Sequence, residues 1–102
     1  MFKVYANMVG QDMVLELEGE MTAADSSLLM TESKAYLGRA KNAVLDMSNL
    51  VYTASSGLRQ IMMLHTAMKE KGGKVIIRHA GEDILSILKG AGFENFIEID
   101  KD

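Results

Sequence analysis

The chain has 102 residues, of which 48% are apolar and 25% charged, with a formal net charge of −3 and neither cysteine nor proline. That size and balance describe one globular domain with enough apolar residues for a core, and they exclude a disordered tail, a disulfide framework and a thiolate metal site. The acidic balance argues against a broad phosphate-backbone contact, so no direct nucleic-acid partner is expected. No apolar run reaches membrane-spanning length, and the polar Gly10-Gln11-Asp12 turn comes too early for a signal-peptide apolar region. A cytoplasmic protein without membrane contact is the expectation.

Residues 2–8 and 13–20 flank that turn and predict a hairpin. In the second run Met13, Leu15 and Leu17 alternate with Glu16, Glu18 and Glu20, so one face is predicted buried and the other wet. Thr22-Ala23-Ala24-Asp25 loosely matches a capping box, Asp standing where Glu is usual. It predicts a first helix from there to about Gly38, in which Leu28 and Leu29 return as Tyr36 and Leu37. Residues 43–47, apolar but for Asp46, predict a central strand that ends at Ser48-Asn49 and gives way to a loop. From Leu58 the residues Ile61, Met62, His65 and Met68 fall at helical spacing, and Lys71-Gly72-Gly73 closes that helix. Residues 74–79 predict a β-branched strand. Ile84, Leu85, Ile87, Leu88 and Ala91 form a third helical stripe stopped by Gly90 to Gly92, and residues 96–99 predict a last strand.

The order is strand, strand, helix, strand, helix, strand, helix, strand, which predicts an α/β fold with a mixed β-sheet and parallel later strands. The acidic outer face of the second strand predicts helices packed mainly on one face of the sheet, with no deep cofactor cleft.

Chemistry concentrates in residues 44–58, where a strand passes into the second helix. Ser55 is predicted at the N-cap, and the backbone N–H groups of Ser56, Gly57 and Leu58 are predicted to be unpaired donors suited to an anion. A phosphoryl group on Ser55 would bring about −1.5 to −2 charges to the positive end of the helix dipole, and Gly57 lets the backbone approach closely. The same residues also suit a plain helix cap and turn, the commoner use of serine there. The local pattern leaves both open.

Enzyme chemistry finds little support. The serine is not in a Gly-x-Ser-x-Gly setting, and a triad would have to draw on His65, from an apolar helix stripe, or His79, at a strand end. No catalytic residue, metal site or cofactor is therefore expected. No histidine or carboxylate spacing suits a metal, and Gly72-Gly73 is too little for a phosphate loop. His65 reads as an edge-of-core residue, Met62, Met63 and Met68 as core in preference to an adaptable interaction face, and Lys69, Lys71 and Lys74 as solvated surface.

A hydrophobic strand, then Asp46-Met47-Ser48-Asn49-Leu50, an apolar pair, and Ser55-Ser56-Gly57-Leu58 opening a helix is similar to the signature of STAS domains of the bacterial anti-sigma factor antagonist type. Gly19-Glu20-Met21 resembles the family's Gly-Glu-Leu/Ile after the second strand. Lys71 to Lys74 resembles its linker into the fourth strand, and Gly90 to Phe93 the segment before its last. The resemblance implies a single STAS domain over residues 1–102 with a STAS-like fold. It also implies a non-enzymatic, protein-binding module that sequesters an anti-sigma factor with serine kinase activity, and that is switched off by phosphorylation of Ser55. The partner-binding residues it implies are Thr22, Thr53, Ala54, Ser55, Ser56, Gly57 and Leu58.

Two positions depart from the pattern. The antagonists usually carry an acidic residue just before the modified serine and another after the Gly-Glu-Leu turn, where this chain has Ala54 and Thr22. Asp25 is a candidate to compensate for one. These departures favour the alternative, a STAS scaffold or ligand-sensing module that is not phosphorylated. A small hydrolase is the third class, to be dismissed by an ester screen against a Ser55→Ala control.

Overall fold

Only two residues, Gly10 and Gln11, separate β1 (Phe2–Val9) from β2 (Asp12–Met21), and Gly10 takes the positive φ that such a tight hairpin requires at its first central position. The structure, a computed structural model, describes residues 1–100, so the last two residues of the expected domain lie outside it. After the hairpin come α1 (Leu28–Leu37), β3 (Asn42–Thr53), α2 (Ser55–Glu70), β4 (Val75–Arg78), α3 (Glu82–Gly90), a 3-10 turn (Phe93–Asn95) and the short β5 (Glu98–Ile99). The strands line up in sequence order; β1 and β2 are antiparallel and every later pair is parallel, as the helical connections demand.

The alternation in β2 does what its pattern predicts. Met13, Leu15 and Leu17 face a core shared with Ala43, Leu45 and Met47 of β3, Val75 and Ile77 of β4, and the buried faces of all three helices: Leu29 of α1, Ile61, Leu64 and Met68 of α2, and Ile84 and Leu88 of α3. The helices thus lie on one face of a mixed sheet. Val44 and Ile76, neighbours in register, are buried outside that cluster, which accounts for the apolar run Ala43-Val44-Leu45 in β3. No helix among the described residues is long and apolar enough to cross a membrane.

Three boundaries differ from the sequence reading by more than one residue. Residues 23–27 form turns, and α1 starts only at Leu28 with Ser27 ahead of it. The Thr22 carbonyl accepts from the N–H groups of both Asp25 (3.2 Å) and Ser26 (2.9 Å), so the apparent capping box is used by a turn one coil before the helix. β3 does not stop at Ser48-Asn49 but runs on to Thr53, because β2 pairs alongside it as far as Met21↔Thr53. Two register shifts each place one extra residue in β3. At the first, the N–H and hydroxyl of Ser48 both donate to the Asp46 carboxylate, at 3.0 and 2.8 Å. The expected loop is a bulged strand, a feature often found beside functional sites. Finally, β5 starts at Glu98, leaving Phe96 outside it and exposed.

Lysine and methionine assignments also shift. The Lys71 ammonium donates to the carbonyls of Leu37 and Ala40 (2.6 Å to the latter), tying the end of α2 to the unsatisfied last turn of α1, whereas Lys74 is solvated and pairs with Glu98 at 2.8 Å. Met68 is core, Met62 is half-buried, and Met63 is exposed.

Candidate partner-binding site

β2 and β3 run side by side to a common end, where the Ala54 N–H donates to the Met21 carbonyl at 2.9 Å. Thr22 and Ala54 therefore leave the sheet together. Ala54 is extended (φ −80°, ψ 171°) and its carbonyl accepts from Gly57 and Leu58 at 3.0 and 3.3 Å, which makes Ala54 the N-cap and Ser55 the first helical residue. Sequence placed Ser55 one position earlier, because alanine is a poor cap while serine is a good one. The consequence is chemical. With an alanine cap no side chain folds over the helix start, and the Ser55 side chain stands exposed. The N–H groups of Gly57 and Leu58 are occupied, so the first-turn donors without a helical acceptor are those of Ser55 and Ser56 rather than the three expected.

Beneath Ser55 the packing is tight. A Cβ on Gly57 would collide with Thr53 Oγ1 and Met21 Sδ and lie 2.8 Å from Met21 Cγ. Thr53 and Met21 are themselves buried, and the Thr53 hydroxyl lies 3.0 Å from the Ala54 carbonyl and 3.7 Å from Met21 Sδ. Of the seven residues singled out in the sequence, Thr53 and Gly57 thus form the floor. Thr22, Ala54, Ser56 and Leu58 are half-buried around it, and Ser55 projects. The buried Ser56 Oγ has no hydrogen-bond partner among the described residues.

Electrostatically, the first turn of α2 carries no acidic residue, and Arg59 is exposed four positions after Ser55, on the same side of the helix. An anion on Ser55 would meet the positive helix end, two free N–H donors and a guanidinium within reach, with no carboxylate on that turn to oppose it.

The β3 side adds exposed neighbours. The bulges turn Val51 and Tyr52 outward, 69% and 47% exposed, and beside them a cleft of about 470 Å³ opens between Leu50-Val51 and residues 81–84. These features sit at the carboxyl ends of β3 and β4, the usual ligand edge of an open α/β sheet. His65 lies ten residues beyond Ser55 on the same helix, about 15 Å along its axis, with its ring centroid 5.3 Å from that of Phe96. It forms no pair with the serine. His79 is exposed in a left-handed conformation (φ 61°) at the turn into α3.

The family described as "Mlab, STAS domain" matches residues 5–98 of the chain. Among solved structures, the anti-sigma factor antagonist SpoIIAA in its unphosphorylated form superposes with a TM-score of 0.79 at 14% identity, over 98% of this chain and 89% of that one. The phosphorylated form of the Bacillus cell fate determinant SpoIIAA gives 0.74 at 12% identity, over 100% and 93%. An anti-sigma factor antagonist from Mycobacterium paratuberculosis gives 0.85 at 13% identity, over 100% and 87%. No curated protein matches the chain. At such identities the structural likeness is one of fold.

Proposed function

The chain belongs to the STAS domain family, its match running over residues 5–98, and from that premise we propose that it is an anti-sigma factor antagonist. Its surface around Ser55 sequesters an anti-sigma factor with serine kinase activity, and phosphorylation of Ser55 ends the binding. The observation that carries this reading is the exposed Ser55 at the first position of α2, above a floor of Thr53, Gly57 and Met21 that leaves the helix start no room to move inward. SpoIIAA, whose fold the chain shares, has been solved with and without phosphate.

On this rigid platform the switch is local. A phosphate adds about −1.5 to −2 charges; the helix end and Arg59 accommodate it in the free protein, while an interface fitted to a neutral hydroxyl does not. Releasing a partner a thousandfold requires about 4 kcal/mol, within the cost of leaving a charge unpaired in a contact. Val51 and Tyr52 extend the contact with apolar surface, and the chain itself performs no chemistry.

The test is phosphate transfer from the partner kinase to wild type, Ser55→Ala and Ser56→Ala. Ser55→Ala is expected to bind the kinase and take up no phosphate, with Ser56→Ala still modified; uptake undiminished in Ser55→Ala would remove Ser55 from the mechanism. Ala54 and Thr22 favour a second reading, a scaffold or ligand-sensing module that is not phosphorylated, and a tight partner complex insensitive to Ser55 substitution would support it instead.

A further inference from the structure

The outward face of α2 is unlike the solvated side of an ordinary surface helix. Residues 59, 62, 63, 66, 67 and 70 line a shallow apolar groove of about 390 Å³, to which α1 adds Met30. Along the helix these positions are spaced three, one, three, one, three, so the row reads the same from either end, with its midpoint between Leu64 and His65. Met63, 47% exposed, stands near the centre, and neither Arg59 nor Glu70 takes part in an ion pair among the described residues.

We propose that this face pairs two copies of the chain, α2 lying antiparallel to α2 across a two-fold axis through that midpoint. In that arrangement Arg59 faces the partner's Glu70, Met62 faces the partner's Ala67, and Met63 faces the partner's Thr66. Each match is complementary: a cation meets a carboxylate, a long flexible side chain meets a methyl, and the exposed thioether meets the methyl of threonine. Two-fold symmetry repeats every match, so the surface is complementary to itself, as an isologous interface must be. A parallel pairing would bring Arg59 toward the partner's Arg59 and Glu70 toward the partner's Glu70, and is disfavoured by charge.

One helix face per subunit makes a small interface, at the low end for specific contacts, so the dimer is weak, with a dissociation constant on the order of 100 µM. The two copies of Ser55 lie at opposite ends of the pair, separated by 19 residues of helical rise, about 29 Å along the axis. The dimer therefore offers two partner sites facing away from its centre. The inference does not depend on the phosphorylation of Ser55. Because Arg59 is also the side chain a phosphate would attract, the association is measured on protein carrying none.

Sedimentation equilibrium from about 10 µM to 1 mM brackets that constant tenfold on either side. The weight-average mass of the wild type is expected to rise from that of a monomer toward twice that value. Arg59→Glu and Glu70→Arg, both at exposed positions and checked for folding by circular dichroism, are each expected to weaken association at least about tenfold by opposing like charges. The double swap restores it. A monomer throughout the range overturns the proposal, as does association that the single swaps leave unchanged. So does a monomeric wild type whose kinase binding is lost in Glu70→Arg, at the end of the face remote from Ser55, which would give the face to that partner.

Discussion

Replacing Gly57 with alanine tests the packing that holds Ser55 in place, and the sign of the effect is diagnostic. In an exposed helix interior the change stabilises by about 1 kcal/mol, because glycine is the more flexible residue. Here the added methyl collides with Thr53 Oγ1 and Met21 Sδ, side chains 4% and 0% exposed that cannot swing into solvent. Overpacking of this kind costs about 1–3 kcal/mol. Losing the Thr53 hydroxyl contact to the Ala54 carbonyl costs about 1 kcal/mol more. With the helix-propensity gain set against these, the net destabilisation is about 1–3 kcal/mol, or roughly 4–8 °C in melting temperature for each kcal/mol. Urea denaturation is the assay, the midpoint falling while the slope stays fixed. Met21→Ala removes two of the three obstructing atoms and leaves space into which the Thr53 hydroxyl can turn, so adding Gly57→Ala to it is expected to cost less than in the wild type. A Gly57→Ala protein as stable as wild type, or more so, would refute the account of the floor.

Three further variants test the geometry. Lys71→Met keeps the aliphatic stem but removes the donors to the Leu37 and Ala40 carbonyls, and is expected to cost about 1 kcal/mol in denaturant titrations; Lys74→Met loses only an exposed ion pair with Glu98, worth less than about 1 kcal/mol and vanishing in high salt. Val51→Ser with Tyr52→Ser is expected to leave the melting temperature within a few degrees of wild type, since both residues are exposed, while weakening kinase binding at least about tenfold in a titration.

What could be read from the sequence was local and periodic. The alternation of Met13, Leu15 and Leu17 with three glutamates has one structural solution on a sheet with a single covered face, and the stripe through Ile61 and Met68 likewise has one on a helix. Boundaries set by distant partners were not legible. Ser48 and Asn49 are turn formers by themselves, and only pairing with β2, together with the Asp46 carboxylate beneath Ser48, keeps them in a bulged strand. The same bulges expose Val51 and Tyr52, an adjacent apolar pair that composition alone would bury. At the site, the serine at a helix start was visible, but its offset by one depends on Ala54 being held by the Met21 carbonyl, a contact across the sheet. Thr22 and Asp25 were misread for a local reason: the Thr22 carbonyl rather than a side chain organises their turn.

The central claim, that phosphate on Ser55 and a bound partner exclude each other, is tested most directly by native mass spectrometry of the protein isolated gently from its own cells. The account predicts a partner-bound fraction without phosphate and a free fraction phosphorylated at Ser55. Phosphate at Ser55 in both fractions alike, or none there under any growth condition while a partner remains bound, would contradict it.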